Sequence, residues 1–165
     1  MLSSPDSSPE LSLGLSAEPF APLQALDDWQ RQLACLGLQA AAESQFIGRV
    51  RPIAGDGTPL QALELEHYPG MTEQQLQLLA TDCAIRHGVL AVLVRHRVGR
   101  LSPGEAIVLV AVAADRRGPA QRCCQELLEA LKHEAPFWKR EWRADGSSTW
   151  LTGNTPLEAE TCHHR

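Results

Sequence analysis

The sequence predicts a single α+β domain with a mixed or antiparallel sheet and about three helices, on three observations. One helical pattern followed by two strand patterns occurs three times, a grouping that favours α+β over a parallel βαβ repeat. A chain of 165 residues with 44% apolar composition can bury one core and is cramped for two. The longest apolar run, Ala106–Ala114, has the length of a buried strand and falls short of a membrane span.

Residues 1–16 are rich in Ser and Pro and read as a disordered leader. Leu23, Leu26, Trp29, Leu33 and Leu36 recur at helical spacing, which predicts a first helix over 23–37. A strand is expected over 42–51. Two glycines and two prolines then make 52–59 a flexible loop. In the next strand, Leu60–His67, Leu63 and Leu65 alternate with Glu64 and Glu66, giving one dry face and one solvated face. Thr72 and Gln75 suggest a capping box, followed by the stripe Leu76, Leu79, Ala80, Cys83, with Gly88 as the helix stop.

Strands over 89–94 and 105–114 flank the turn residues Ser102-Pro103-Gly104 and are expected to form a hairpin. Pro119 suits the start of a third helix, whose stripe Ala120, Cys123, Cys124, Leu127, Leu128, Leu131 runs to about residue 134. Pro136 ends it. Phe137–Arg143 and 148–151 read as a last short hairpin, with Trp138 and Trp142 packing on one side of it. Residues 152–165 form a polar tail, so the expected domain is 17–151.

The net charge of −5 argues against general nucleic-acid binding. The arginines and lysines from Arg49 to Arg143 are concentrated, however, and a local pocket for a small anion fits them. Five cysteines at irregular spacing suit reduced thiols. Asp6 and Glu10, with no nearby Lys or Arg, do not form a secretory signal, and a cytoplasmic location is expected. Cys162-His163-His164 lies at a terminus without fixed geometry, so no metal site is expected there, and none elsewhere. His67 and His96 stand at strand ends with no metal spacing and read as structural. Neither a P-loop nor a GxGxxG pattern occurs, and no cofactor is expected.

Only Lys132 and Lys139 are lysines among fifteen Lys plus Arg residues. A desolvated amine beside other cations can exchange a proton near neutral pH, whereas a guanidinium cannot. Taken alone, Lys132 also fits a helix C-terminus and Lys139 a strand surface.

Four ordered segments resemble the molybdopterin synthase large-subunit (MoaE) family: Phe46-Ile47-Gly48-Arg49-Val50-Arg51, Leu65-Glu66-His67-Tyr68-Pro69-Gly70-Met71, His96-Arg97-Val98-Gly99-Arg100-Leu101, and Leu131-Lys132 with Ala135-Pro136-Phe137-Trp138-Lys139-Arg140-Glu141. The resemblance covers about 18–151. It implies an α/β-hammerhead-like fold and a heterotetramer, in which a central homodimer of large subunits carries a small ubiquitin-like sulfur-carrier subunit at each end. The small subunit's Gly-Gly thiocarboxylate would enter a pocket and give sulfur to a pterin phosphate, cyclic pyranopterin monophosphate (precursor Z), in molybdenum cofactor biosynthesis.

By the same resemblance Lys132 is the general acid/base and Lys139 lies beside the thiocarboxylate. Arg51 and Phe46 belong to that pocket, and Arg116 and Arg117 bind the substrate phosphate. Arg116 stands where the family usually has histidine, and no basic residue follows Trp150 in Leu151-Thr152-Gly153-Asn154. Those departures keep a second reading open, a non-catalytic homologue that only docks the ubiquitin-like partner.

Overall fold

A computed structural model describes residues 7–151. Its elements in chain order are β1 (Glu10–Ser16), α1 (Pro22–Cys35), β2 (Ala42–Arg49), β3 (Leu60–His67), α2 (Met71–His87), β4 (Ala91–Arg97), β5 (Gly99–Leu101), β6 (Ala106–Ala114), α3 (Arg117–His133), β7 (Phe137–Arg143) and β8 (Ser148–Trp150). They make two four-stranded sheets, ordered β1-β4-β6-β2 and β5-β3-β7-β8. The first sheet is mixed because β1 runs parallel to β4; the second is antiparallel throughout.

Strand periodicity explains the layers. In β4 and β6, Val92, Val94, Val108, Val110 and Val112 face α2 and α3, whereas Leu93, Leu109, Ala111 and Ala113 face Leu26, Trp29 and Leu33 of α1. Both faces are dry, so the run Ala106–Ala114 reads as continuously apolar. The second sheet has a smaller core of its own, with Leu60, Leu63, Leu65 and Leu101 packed on Val50 and Ala54.

The expected disordered leader needs correction at its C-terminal end. Residues 10–16 pair with Ala91–Arg97 from Glu10↔Ala91 to Ser16↔Arg97. Leu11, Leu13 and Leu15 pack on the first core while Ser12, Gly14 and Ser16 alternate with them. The Ser-rich composition masks a period of two. Arg95 ties the strand further, its Nη1 donating to Ser12 O at 3.0 Å and its Nη2 to Ser12 Oγ at 3.0 Å. Residues 1–6 and the polar tail from 152 lie outside the described residues.

Three local expectations also change. The α2 cap is Gly70, whose N–H donates to Glu73 Oε2 at 2.6 Å; Thr72 lies inside the helix and accepts from Tyr68 N–H at 3.0 Å. Strand β5, only three residues long, was hidden among turn residues. The 52–59 loop is held in place, since Ala54 N–H donates to Thr58 O at 2.8 Å, Gly55 N–H to Glu141 Oε2 at 3.0 Å, and Asp56 pairs with Arg143 at 2.9 Å.

Gly88 stops α2 as expected, with φ of 62°. Val89 N–H reaches Ala84 O and Gly88 N–H reaches Ile85 O, each at 3.1 Å. A Cβ at Gly88 would meet nothing within 4 Å, so the cost of Gly88→Ala is backbone strain alone, about 1 kcal/mol. Denaturant titration should show that loss with an unchanged slope.

Candidate functional site

A cleft of about 590 Å³ opens where β2, β6 and α3 of the first layer meet β3, β7 and the 52–59 loop. Four sequence-predicted residues line it together: Phe46, Arg51, Lys132 and Lys139.

Strand β2 supplies the first two. A bulge between Gly48 and Arg49 breaks its register with β6. A Cβ on Gly48 would lie 3.0 Å from Val108 Cγ1 and 3.1 Å from Phe46 Cε1, so glycine there lets the Phe46 ring settle against the strand. Beyond the bulge Val50 N–H donates to Glu105 O at 3.0 Å, and Gly104 N–H to Val50 O at 2.9 Å. Pinned there, the chain delivers Arg51 to the cleft wall.

Helix α3 supplies Lys132. Leu127 and Leu131 bury its inner stripe, and Lys132 follows Leu131 at the rim of that stripe in the last turn. Its Nζ lies 3.9 Å from Glu129 Oε1, one turn back, and 6.0 Å from the Phe46 ring centre. The amine remains partly exposed and faces the cleft.

Strand β7 supplies Lys139 by alternation. Phe137, Lys139 and Glu141 pair with His67, Leu65 and Leu63 and share their face of the sheet. Trp138, Arg140 and Trp142 take the opposite face, where Arg140 stacks on Trp142 at 4.9 Å and Trp150 at 4.2 Å, and Trp142 Nε1 donates to Glu64 Oε2 at 2.6 Å. Trp142 packs as expected. Trp138 is 43% exposed and makes an edge contact with Tyr68 at 4.8 Å.

Burial first, and then the charges of Lys132 and Arg51, hold the Lys139 amine below the usual lysine range. Both causes penalise the ammonium form. The cleft therefore concentrates positive charge from Arg51, Lys132 and Lys139. Anions are the natural occupants.

His96 also lines the cleft. Its ring stacks on Phe137 at 4.0 Å with planes 8° apart, and Nδ1 contacts Arg97 O at 2.7 Å. Burial, reinforced by Lys139 and His67, pushes its pKa down to about 4. The folded-state pKa lies below the ordinary 6.5, so the unfolded chain takes up the proton first on acidification. His96 should therefore withdraw stability as pH falls from about 6.5 to about 4, by about 3 kcal/mol in total. Unfolding free energies measured across that window on the chain and on His96→Gln should differ in slope.

Arg116 and Arg117 do not join the cleft. Arg116 occupies the N-cap position of α3 with no side-chain cap bond and Arg117 opens the helix, and Lys132 lies fifteen positions beyond Arg117, about 22 Å along the axis. Three contributors were not among the expected site residues: His96, read from the sequence as structural, Glu141, which anchors the loop over the cleft, and Glu129, which faces Lys132. Spacing carries a signal for two of them, Glu141 being two residues from Lys139 on a strand and Glu129 three from Lys132 on a helix. Among the residues lining the cleft, His96 and Glu141 are the only His, Cys, Asp or Glu side chains, so it suits an anionic molecule better than a metal ion.

Comparison with known proteins identifies the family. The family profile described as MoaE protein matches residues 17–134. A protein of Ralstonia nicotianae named molybdopterin synthase catalytic subunit is 48% identical over 109 residues, 66% of this chain and 61% of that protein. A Pseudomonas aeruginosa protein of the same name is 37% identical over 149 residues, covering 90% of this chain and 95% of that one. The solved structure of the molybdopterin biosynthesis MoaE protein from Burkholderia ambifaria superposes with a TM-score of 0.67 at 36% identity, covering 87% of this chain and 88% of that one. Profile, sequence and fold agree, and the chain belongs to the MoaE protein family.

Proposed function

We propose that this chain is the catalytic subunit of a molybdopterin synthase in molybdenum cofactor biosynthesis. It transfers sulfur from the C-terminal thiocarboxylate of a small ubiquitin-like subunit to cyclic pyranopterin monophosphate, building the dithiolene of molybdopterin. The observation that carries this reading is the convergence of Lys132, Lys139 and Arg51 on one cleft, with the Lys139 pKa lowered.

The chemistry requires two anions, a thiocarboxylate and a phosphate monoester, to meet. Fixed cations lower that electrostatic barrier, and an arginine fork suits phosphate while an amine suits the reacting centre. Lys132 serves as general acid/base for sulfur addition. Lys139 lies beside the thiocarboxylate, and its depressed pKa suits it to share the proton traffic. Phe46 forms an aromatic wall for the pterin. Each thiocarboxylate brings one sulfur, so two must be used per product, and the spent small subunit must leave between transfers.

Arg116 and Arg117 retain a phosphate role in this proposal only across a contact between copies, since their own cleft is about 22 Å away along α3. A homodimer of large subunits, flanked by small subunits, meets that need. A cytoplasmic location is part of the same reading and rests on the odd cysteine set. No helix among the described residues is long and apolar enough to cross a membrane.

The test is reconstitution: the purified chain, a thiocarboxylated small subunit and the pterin precursor should yield molybdopterin. Docking of the small subunit with no product at saturating precursor would instead select the non-catalytic homologue.

A further inference from the structure

Away from the cleft, α2 and α3 bring together three metal-ligating side chains. Cys83 and His87 are one turn apart on α2, Glu126 faces them from α3, and their ligand atoms all lie within 4.8 Å of one another. We propose that Cys83, His87 and Glu126 bind a single borderline-soft divalent cation of the zinc class, clamping α2 to α3.

The geometry fits that ion. Zinc bonds of about 2.3 Å to sulfur and about 2.0 to 2.2 Å to nitrogen or oxygen hold tetrahedral ligands roughly 3.5 Å apart. Cys83 Sγ lies 3.8 Å from Glu126 Oε2, and His87 Nε2 contacts the same oxygen. A cation entering among them would replace the direct His87–Glu126 contact and draw Cys83 Sγ inward. Thiolate, imidazole and carboxylate form a donor set typical of zinc, and the two anions balance its charge.

The surroundings support the donors. Cys123 Sγ, 3.7 Å from Cys83 Sγ, can donate its S–H to a Cys83 thiolate. Arg86 Nη1 lies 3.2 Å from each Glu126 oxygen and its Nε 2.9 Å from Asp82, so with Oε2 on the metal Arg86 still holds Oε1. Outer-shell contacts of this kind orient metal-bound carboxylates. Cys83 is buried, whereas the Glu126 side chain is 48% exposed, which opens the site to solvent on one side and gives a water the fourth position.

A plain ion-pair clamp of His87, Arg86, Asp82 and Glu126 would also join the helices. It makes no use of the Cys83 sulfur, which packs in the core and reaches Cys123 O at 3.6 Å while also lying beside Glu126. The site is also separate from the cleft, which takes Leu128, Leu131 and Lys132 from α3 and no residue from α2.

The test titrates zinc into the full-length chain against a chromophoric chelator. Because Cys162, His163 and His164 could also bind it, the chain carries Cys162→Ser, His163→Ala and His164→Ala throughout. One zinc per chain is expected, with affinity falling about tenfold or more in His87→Ala and a raised thermal midpoint on binding in the parent only. Cobalt in place of zinc should show a thiolate charge-transfer band that Cys83→Ser removes. His87 is at the helix end and partly exposed, so its variant decides the matter if Cys83→Ser does not fold. No zinc uptake by the tail-substituted chain, or equal affinity in the parent and His87→Ala, would overturn the proposal.

Discussion

Replacing Lys132 by alanine is expected to cut molybdopterin formation by about a hundredfold to ten-thousandfold, the range for loss of a positioned acid/base group. The fold should survive. Lys132 sits in the last turn of α3 with its side chain partly exposed, and its ion pair with Glu129 is a 3.9 Å contact between residues one turn apart. Small-subunit binding should persist, because the substitution removes one charge from a cleft that retains Arg51 and Lys139. Lys139→Arg separates charge from proton transfer, as the guanidinium stays protonated. Single-turnover assays with both variants, alongside circular dichroism and partner pull-down, provide the check. Full turnover in Lys132→Ala would remove the mechanism proposed for the cleft.

The second large effect concerns stability. Leu127 is fully buried on the inner face of α3, in the cluster that joins α3 to β4, β6 and α2. Leu127→Ala should cost about 2 to 5 kcal/mol, combining lost transfer energy with the cavity left behind. Equilibrium denaturation read by far-UV signal measures it. Leu36→Ala makes a useful control, since Leu36 is 54% exposed at the end of α1 and should cost far less.

Long, strongly patterned elements were legible in the sequence. Leu60–His67 and Phe137–Arg143 match their expected bounds, and the stripe Ala120 to Leu131 is buried as its spacing implies. Short elements and local chemistry were less so. Strand β1 shows its leucine alternation only over seven residues inside a Ser- and Pro-rich stretch, and the α2 cap uses Glu73 in place of the more familiar Thr72-Gln75 pairing.

The same limit applies to the site. Lys132 and Lys139 drew notice by rarity, and the four family segments supplied Arg51 and Phe46. The separation of Arg116 from the cleft depends on which end of α3 faces the second sheet, a property of tertiary packing. In the Cys83, His87 and Glu126 cluster, Glu126 stands about forty positions from the other two, beyond any motif spacing a linear reading detects.

The pairing of β1 with β4 has a practical corollary for anyone trimming the N-terminus. A version starting at residue 17 would strip the outer hydrogen-bonding partner from an apolar strand and leave its amides and carbonyls bare. Such a naked border recruits strands from neighbouring molecules, so self-association into larger particles is the expected failure, ahead of outright unfolding.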